Sequence, residues 1–316
     1  MPEWLIEKGI GETRSVRTEN GEIVEARILL DGVVAAGALL EAQLVDIGRD
    51  GRNAVAVADG QDYLLPEAPS GISQGARLDL EVVRETIPGA EPWKRPLAKL
   101  AGKGAAAASP VEGEHLPFPA PADRLGHLGW DDLIEEARSG IVRFGGGELR
   151  IFVTPAMTLI DVDGTLPPVE LAMAGAKAAA RAILRHGIGG SVGIDLPTMQ
   201  GKEQRKAVGA AVDAILPNPF ERTAVNGFGF LQIVRPRRHA SLFELAADRP
   251  AFEARALLRQ AAHETGALTL AAHPAVIAIF EGHPDWPEQL SRQVGGAVRL
   301  RSDPKLPMSG GHAEKA

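Results

Sequence analysis

The sequence predicts a mixed α+β protein, and three observations carry that prediction. Between Leu39 and Leu100, short apolar runs are separated by turn residues, the pattern of a small barrel. From Ala101 to Asp123, alanine, glycine and proline dominate without periodicity, which reads as a linker. After Leu125, strand-like runs alternate with helical ones, the signature of an α/β layer. An N-terminal hairpin precedes the barrel, and a small C-terminal α/β unit follows the layer.

Each element has its own signal. GETRSVRT and GEIVEARILL alternate around Asn20-Gly21, a strong hairpin turn. LEAQLVDIG, NAVAVAD, DYLLPE and ARLDLEVVRETI follow, broken at Asp50-Gly51, Asp59-Gly60 and Pro69-Ser70-Gly71; an OB-type barrel is the natural candidate. Trp130 to Arg138 reads as a short helix. IVRF, ELRIFV and MTLIDV read as strands, with Gly145-Gly146-Gly147 turning between the first two. Leu166 to His186 is a long helix whose Lys177, Arg181 and Arg185 form a solvated stripe, with Met173, Ala180 and Leu184 facing inward. GGSVGID is a buried strand, Lys202 to Leu216 a helix, and Thr223 to Val234 a further strand or pair. Ala251 to His263 and Pro287 to Val294 are helices, and AVRLRSDP is a strand. The expected partition is 1–37 as a hairpin joining the core, 38–100 as the barrel, 101–125 as linker, 126–245 as the α/β core, 246–308 as the small C-terminal domain and 309–316 as a disordered tail.

Composition bounds the function. Apolar residues make up 45% and charged residues 24% of the 316, ordinary for a globular protein. Aromatics are 4%, with alanine and glycine in their place, so helices should pack closely through small side chains. The chain has 0 cysteines, which excludes disulfides, thiolate catalysis and cysteine-ligated zinc and suits the cytoplasm. No apolar run is long enough to span a bilayer, and MPEWLIEKGIGETR lacks a signal-peptide core, so no membrane partner is expected. A net charge of −7 argues against coating nucleic acid by bulk electrostatics but leaves room for a local basic groove.

Two aspartates stand where chemistry is built. MTLIDVDG places Asp161, and GGSVGIDLP places Asp195, at the ends of apolar strands. Ligands of α/β sheets bind outside the carboxyl ends of strands. If a crossover helix makes the strands neighbours, the carboxylates converge and need a compensating charge. Hard oxygen donors favour magnesium, which keeps waters and phosphate oxygens in its remaining positions. Strand-end aspartates also cap helices, and Asp163-Gly164 is a turn signal in its own right, so both readings stand at this level. Arg235, Arg237 and Arg238 follow a strand, as phosphate partners or as a plain basic turn. The eight histidines show no metal-ligand spacing.

FGGGELRIFVTPAMTLIDVDG, GIGGSVGIDLPTM and GFGFLQIVRPRR, in that order, resemble the blocks of the RNase E/G endoribonuclease core. The resemblance extends to the opening hairpin, to the inserted OB domain over Ala42 to Leu100, and to a small C-terminal domain at HPAVIAIFEG and VGGAVRLRSDP. It implies a DNase I-like/RNase H-like nuclease core in which Asp161 and Asp195 hold catalytic Mg2+ (Mn2+ possible). Asp163 stands at the family's asparagine and is a candidate third ligand. Lys94 is the nearest match to a family lysine.

The chain also departs from that pattern. Only the linker and a short helix fill the interval where larger members carry a 5′-monophosphate sensor, and the zinc-link cysteines are missing. Thr198 stands at a family aspartate, and Asn226-Gly227-Phe228-Gly229 lacks a family arginine. The implied activity is magnesium-dependent cleavage of single-stranded RNA by metal-activated water, without 5′ sensing and without zinc. The alternative is an RNA-binding or regulatory protein with little catalysis. Expected RNA contacts are Lys94, Arg95, Tyr63 (the one aromatic at hand on the barrel strands), Arg235, Arg237, Arg238 and Phe228. Phe228 serves either as core or as a base-stacking ring. Oligomeric state is left open.

Overall fold

Strand β1 (Trp4–Lys8) pairs with β2 (Glu12–Glu19), which turns at Asn20-Gly21 into β3 (Glu22–Leu30). Both turn residues have positive φ, 54° and 80°, as the primed hairpin turn requires. The structure is a computed structural model that describes residues 4–49, 51–88, 94–102, 104, 111–119 and 122–315.

Five strands follow: β4 (Leu39–Asp46), β5 (Arg52–Ala58), β6 (Gln61–Glu67), β7 (Arg77–Arg84) and β8 (Leu97–Leu100). They close in the order β4-β5-β6-β8-β7, a five-stranded barrel compatible with the OB type. Alternate residues Leu44, Ala56, Leu65, Leu80 and Val82 fill its core. The chain continues through β9 (Gly113–Leu116), α1 (Arg124–His127) and α2 (Trp130–Ser139). Residues 103, 105–110 and 120–121 of the expected linker lie outside the described residues. Its later part is not all linker, since β9 pairs in parallel with β1.

The α/β layer comprises β10 (Ile141–Phe144), β11 (Gly147–Val153), β12 (Thr158–Gly164), α3 (Pro168–Arg185), β13 (Gly190–Asp195), α4 (Lys202–Asp213), β14 (Glu221–Arg222) and β15 (Phe230–Arg235). Its six strands run in the order β10-β11-β12-β13-β15-β14, with β12 and β13 parallel and joined through α3. One face of the sheet presents Leu149, Ile160, Val162, Val192, Ile194, Leu231 and Ile233, all buried. Helix α3 lies against β11 and β12 through Leu171, Ala172, Gly175, Ala176, Ala179 and Ile183. A Cβ at Gly175 would stand 2.3 Å from Val162 Cγ1, so glycine sets that close approach. Small residues do bring the helix close. Met173 and Leu184, expected inward, are only half-buried, because the small-residue face is turned one step away from them.

The chain ends with α5 (Leu242–Ala247), α6 (Arg249–Ala261), β16 (Leu268–Ala272), α7 (Pro274–Gly282), α8 (Asp285–Val294), β17 (Val298–Ser302) and β18 (His312–Lys315). The expected disordered tail is corrected here. β18 pairs antiparallel with β16, so backbone pairing organises 312–315 where the polar composition had suggested none.

Contacts divide the chain into two units, Met1–Asp31 with Gly113–Ser139 and Leu242–Ala316, and Gly32–Glu112 with Gly140–Ser241. The hairpin therefore groups with the α1–α2 segment and the C-terminal elements, not with the sheet that carries the aspartates. In that first unit, Ile10, Leu257, Phe280, Trp286 and Leu290 share one core. No helix among the described residues is long and apolar enough to cross a membrane.

Candidate active site on the open face of the sheet

Strand β12 alternates strictly. Thr158, Ile160 and Val162 point to the helices, so Leu159, Asp161 and Asp163 point to the other face. Among the described residues, α3 packs against β10, β11 and β12 from the helix side, while Leu159 and Asp163 on the other face are exposed. In register, Arg150 lies opposite Asp161, Asp161 opposite Asp195, and Asp195 opposite Phe230. The two aspartates are thus nearest neighbours on adjacent parallel strands, about 4.8 Å apart in backbone spacing. The sequence places both at strand ends; Asp195 does end β13, but Asp161 lies in the middle of β12, which runs on through Asp163-Gly164, and the pairing brings the two together.

Asp161 is half-buried and Asp195 exposed. Partial burial raises the Asp161 carboxyl above its ordinary range, Asp163 and Asp195 raise it further, and Arg150 opposes them. Asp163 lies one row further along, opposite Glu148, with Arg150 Nη1 3.6 Å from its Oδ2. Arg150 also holds Glu148 through Nη2 at 3.0 Å. Among the described residues no three His, Cys, Asp or Glu side chains come together as a metal-holding group. The donor set is two hard carboxylates, which fits a magnesium ion that keeps most of its positions for water and phosphate.

The loop after Asp195 is pinned from several sides. Leu196 N donates to Gly229 O at 3.3 Å, and Thr198 Oγ1 donates to Phe228 O at 3.4 Å. Arg205 Nη1 donates to Met199 O and Gln200 O at 2.6 and 3.0 Å. Across from it, Asn226 Oδ1 accepts from Phe228 N and Phe230 N at 2.9 and 3.0 Å, locking the turn that carries Phe228. Phe228 is 84% exposed, which removes the core reading and leaves a ring presented to solvent beside the end of β13.

The other expected RNA contacts fare differently. Tyr63 is 2% exposed inside the barrel, so it is a core residue and not a stacking surface; as the third residue of β6, two before Leu65, it turns inward with it. Arg95 lies at the turn into β8, exposed, with Nε 3.2 Å from Asp62 Oδ2, and Lys94 beside it is half-buried. Arg235 is opposite Gly190, at the far end of β13 from Asp195, about 17 Å of strand away. Its guanidinium donates to Ile188 O at 3.2 Å and Ile183 O at 3.5 Å, closing the end of α3. Arg237 packs on Gly189, and Arg238 O accepts from Glu85 N at 2.9 Å. The basic triplet is therefore not beside the aspartates, because antiparallel β15 carries it to the opposite end of β13.

Sequence reasoning missed Phe152, Leu159, Phe230, Arg205 and Asn226. The first two were within reach, since Leu159 shares Asp161's parity and Phe152 shares Arg150's. No protein-family model matches the chain, and no curated protein matches it.

Proposed function

We propose that the chain is a magnesium-dependent endoribonuclease of the RNase E/G type, cleaving single-stranded RNA without 5′-monophosphate sensing. The observation that carries this reading is the register pairing of Asp161 with Asp195 on an open sheet face. Both carboxylates would hold the ion, which when bound supplies an activated water and offsets charge on the scissile phosphate. The chain's own residues do the rest. Arg150 holds Asp163 and Glu148 beside the pair, and the Arg205 and Asn226 hydrogen bonds fix the loops on either side of Asp195. Phe228 offers a ring to a base next to the cleaved linkage. A cytoplasmic setting accords with the lack of cysteine.

A second reading, RNA binding with little turnover, draws on the far placement of Arg235 and on the inward Tyr63, which strip the site of two expected RNA grips. Cleavage of a labelled single-stranded RNA with magnesium, with EDTA, and with Asp161→Asn and Asp195→Asn separates the two. Cleavage is expected only in the wild-type protein with magnesium. Magnesium-dependent cleavage retained in the double variant overturns the reading, and binding without any cleavage favours the second.

A further inference from the structure

One row along the open face from the carboxylates, Phe152 lies opposite Leu159, and Leu159 opposite Gly193. Phe152 is 55% exposed and Leu159 36%. Gly193 has no side chain, and the Phe230 ring fills its place. A Cβ on Gly193 would stand 2.6 Å from Phe230 Cζ and 3.0 Å from Leu159 Cδ2. The ring opposite Asp195 thus leans back across Gly193 toward Leu159. The result is a continuous apolar strip, Phe152–Leu159–Phe230, bordering the Arg150–Asp161–Asp195 row about 7 Å away along the strands.

We propose that this strip is a base-stacking subsite for the nucleotide next to the scissile phosphate, with single-stranded RNA as its occupant. The inference rests on the endonuclease reading of Asp161 and Asp195. Size argues for a base. One half-exposed phenylalanine and its neighbours offer on the order of 100–200 Å², far below the roughly 800 Å² per partner of a stable protein interface. Charge pattern argues the same way. A protein partner laid over the strip would also desolvate Asp161, Asp163, Asp195 and Arg150, at a cost its apolar contacts could not offset. A nucleotide instead puts a flat ring on the strip and leaves its charged phosphate over the polar row. Gly193 keeps the strip flat, and every base has a face that stacks on it.

The test uses the full chain and a fluorescently labelled eight-nucleotide oligoadenosine, beside an abasic ribose-phosphate oligomer of the same length, both in EDTA to hold turnover off. The wild-type protein is expected to prefer the base-bearing oligomer. Phe152→Ala is expected to weaken that binding about 5- to 100-fold and to leave abasic binding unchanged. Phe152→Trp gives a direct readout, because stacking quenches the introduced indole while a structural role would not. Equal binding of both oligomers, or no effect of Phe152→Ala, overturns the subsite. So does a concentration-dependent dimer in sedimentation that Phe152→Ala dissolves, since the strip then joins two copies. If the RNA is cleaved with magnesium but Phe152 has no effect, the subsite fails and the endonuclease stands. If Phe152-dependent binding occurs without cleavage, the reverse holds.

Discussion

Asp161 and Asp195 occupy one register position on two parallel neighbours, so their side chains leave the sheet side by side on the same face. Like charges placed directly across a strand pair weaken a sheet by roughly 0.2–1 kcal/mol. Arg150 opposes that repulsion in part, and a bound cation would remove the remainder. Asp161→Asn is therefore expected to raise Tm by about 1–3 °C in EDTA. Magnesium is expected to raise the Tm of the wild-type protein and not of the Asp161→Asn, Asp195→Asn double variant. Differential scanning fluorimetry reads both effects, and identical magnesium shifts in the two proteins would remove the carboxylate pair as the binding site.

Gly229 controls the neighbouring turn. Its φ is +95°, and a Cβ there would stand 2.1 Å from Leu196 O, the carbonyl just past Asp195. Gly229→Ala is expected to cost about 1–3 kcal/mol and to displace both Phe228 and the Asp195 loop. Urea unfolding measures the first, and RNA cleavage should fall by more than the unfolded fraction accounts for. A variant with unchanged stability would show that the turn is free to shift.

What was legible in the sequence was periodic or punctuated. Asn20-Gly21 marked its hairpin, and the barrel strands showed through their turns. MTLIDVDG and GGSVGID showed as apolar runs ending in acids. The register was not legible. Whether Asp161 meets Asp195 depends on α3 returning the chain in parallel beside β12, a tertiary outcome that spacing alone leaves open. Arg235 was misplaced for the same reason, because nothing in FLQIVRPRR says that β15 runs antiparallel to β13. Tyr63 was misread because its strand's inward face is set by barrel closure, not by its polarity. β18 was invisible because HAEK carries no apolar alternation, and its order comes from pairing with β16.

Tyr63 is the only tyrosine among the 316 residues, so its ionisation can be followed alone. Burial raises its phenol above 10.0, and Asp59 raises it further. A group whose folded pKa is raised stabilises fully below its unfolded pKa and loses that contribution as pH rises through the folded value. The barrel should thus weaken above about pH 10. Absorbance titration near 295 nm is expected to show a midpoint above 10 that returns to the ordinary value in urea. Tyr63→Phe should flatten this alkaline loss, whereas Tyr63→Ala should cost about 3–5 kcal/mol through the cavity it leaves. A normal midpoint in the folded protein would place the phenol at the surface and restore it as an RNA contact.

The first unit is sensitive at the other end of the pH scale. Arg14, 0% exposed, is held by Glu7 at 2.5 Å and Glu12 at 2.8 Å. Arg255 reaches Glu12 at 3.0 Å, and Arg259 reaches Glu7 at 3.1 Å, so α6 is tied to β1 and β2 through alternating charges. Asp123 completes the set with a two-pronged contact from Arg259, at 2.5 and 3.0 Å. Burial pulls the Asp123 carboxyl up, but the Arg259 hydrogen bonds and Gly126 N outweigh it, and its pKa lies below the ordinary value. A depressed folded pKa gives stability that is present above the unfolded value, about 3.9, and is lost as pH falls through the folded one. Asp123→Asn is expected to cost about 1–3 kcal/mol at pH 7, less than a fully buried pair because Asp123 is partly solvated. The gap between variant and wild-type stability should shrink steadily as pH is lowered from 5 toward 2. Urea unfolding at a series of pH values measures it, and a gap independent of pH would mean that Asp123 acts through packing and not through its charge.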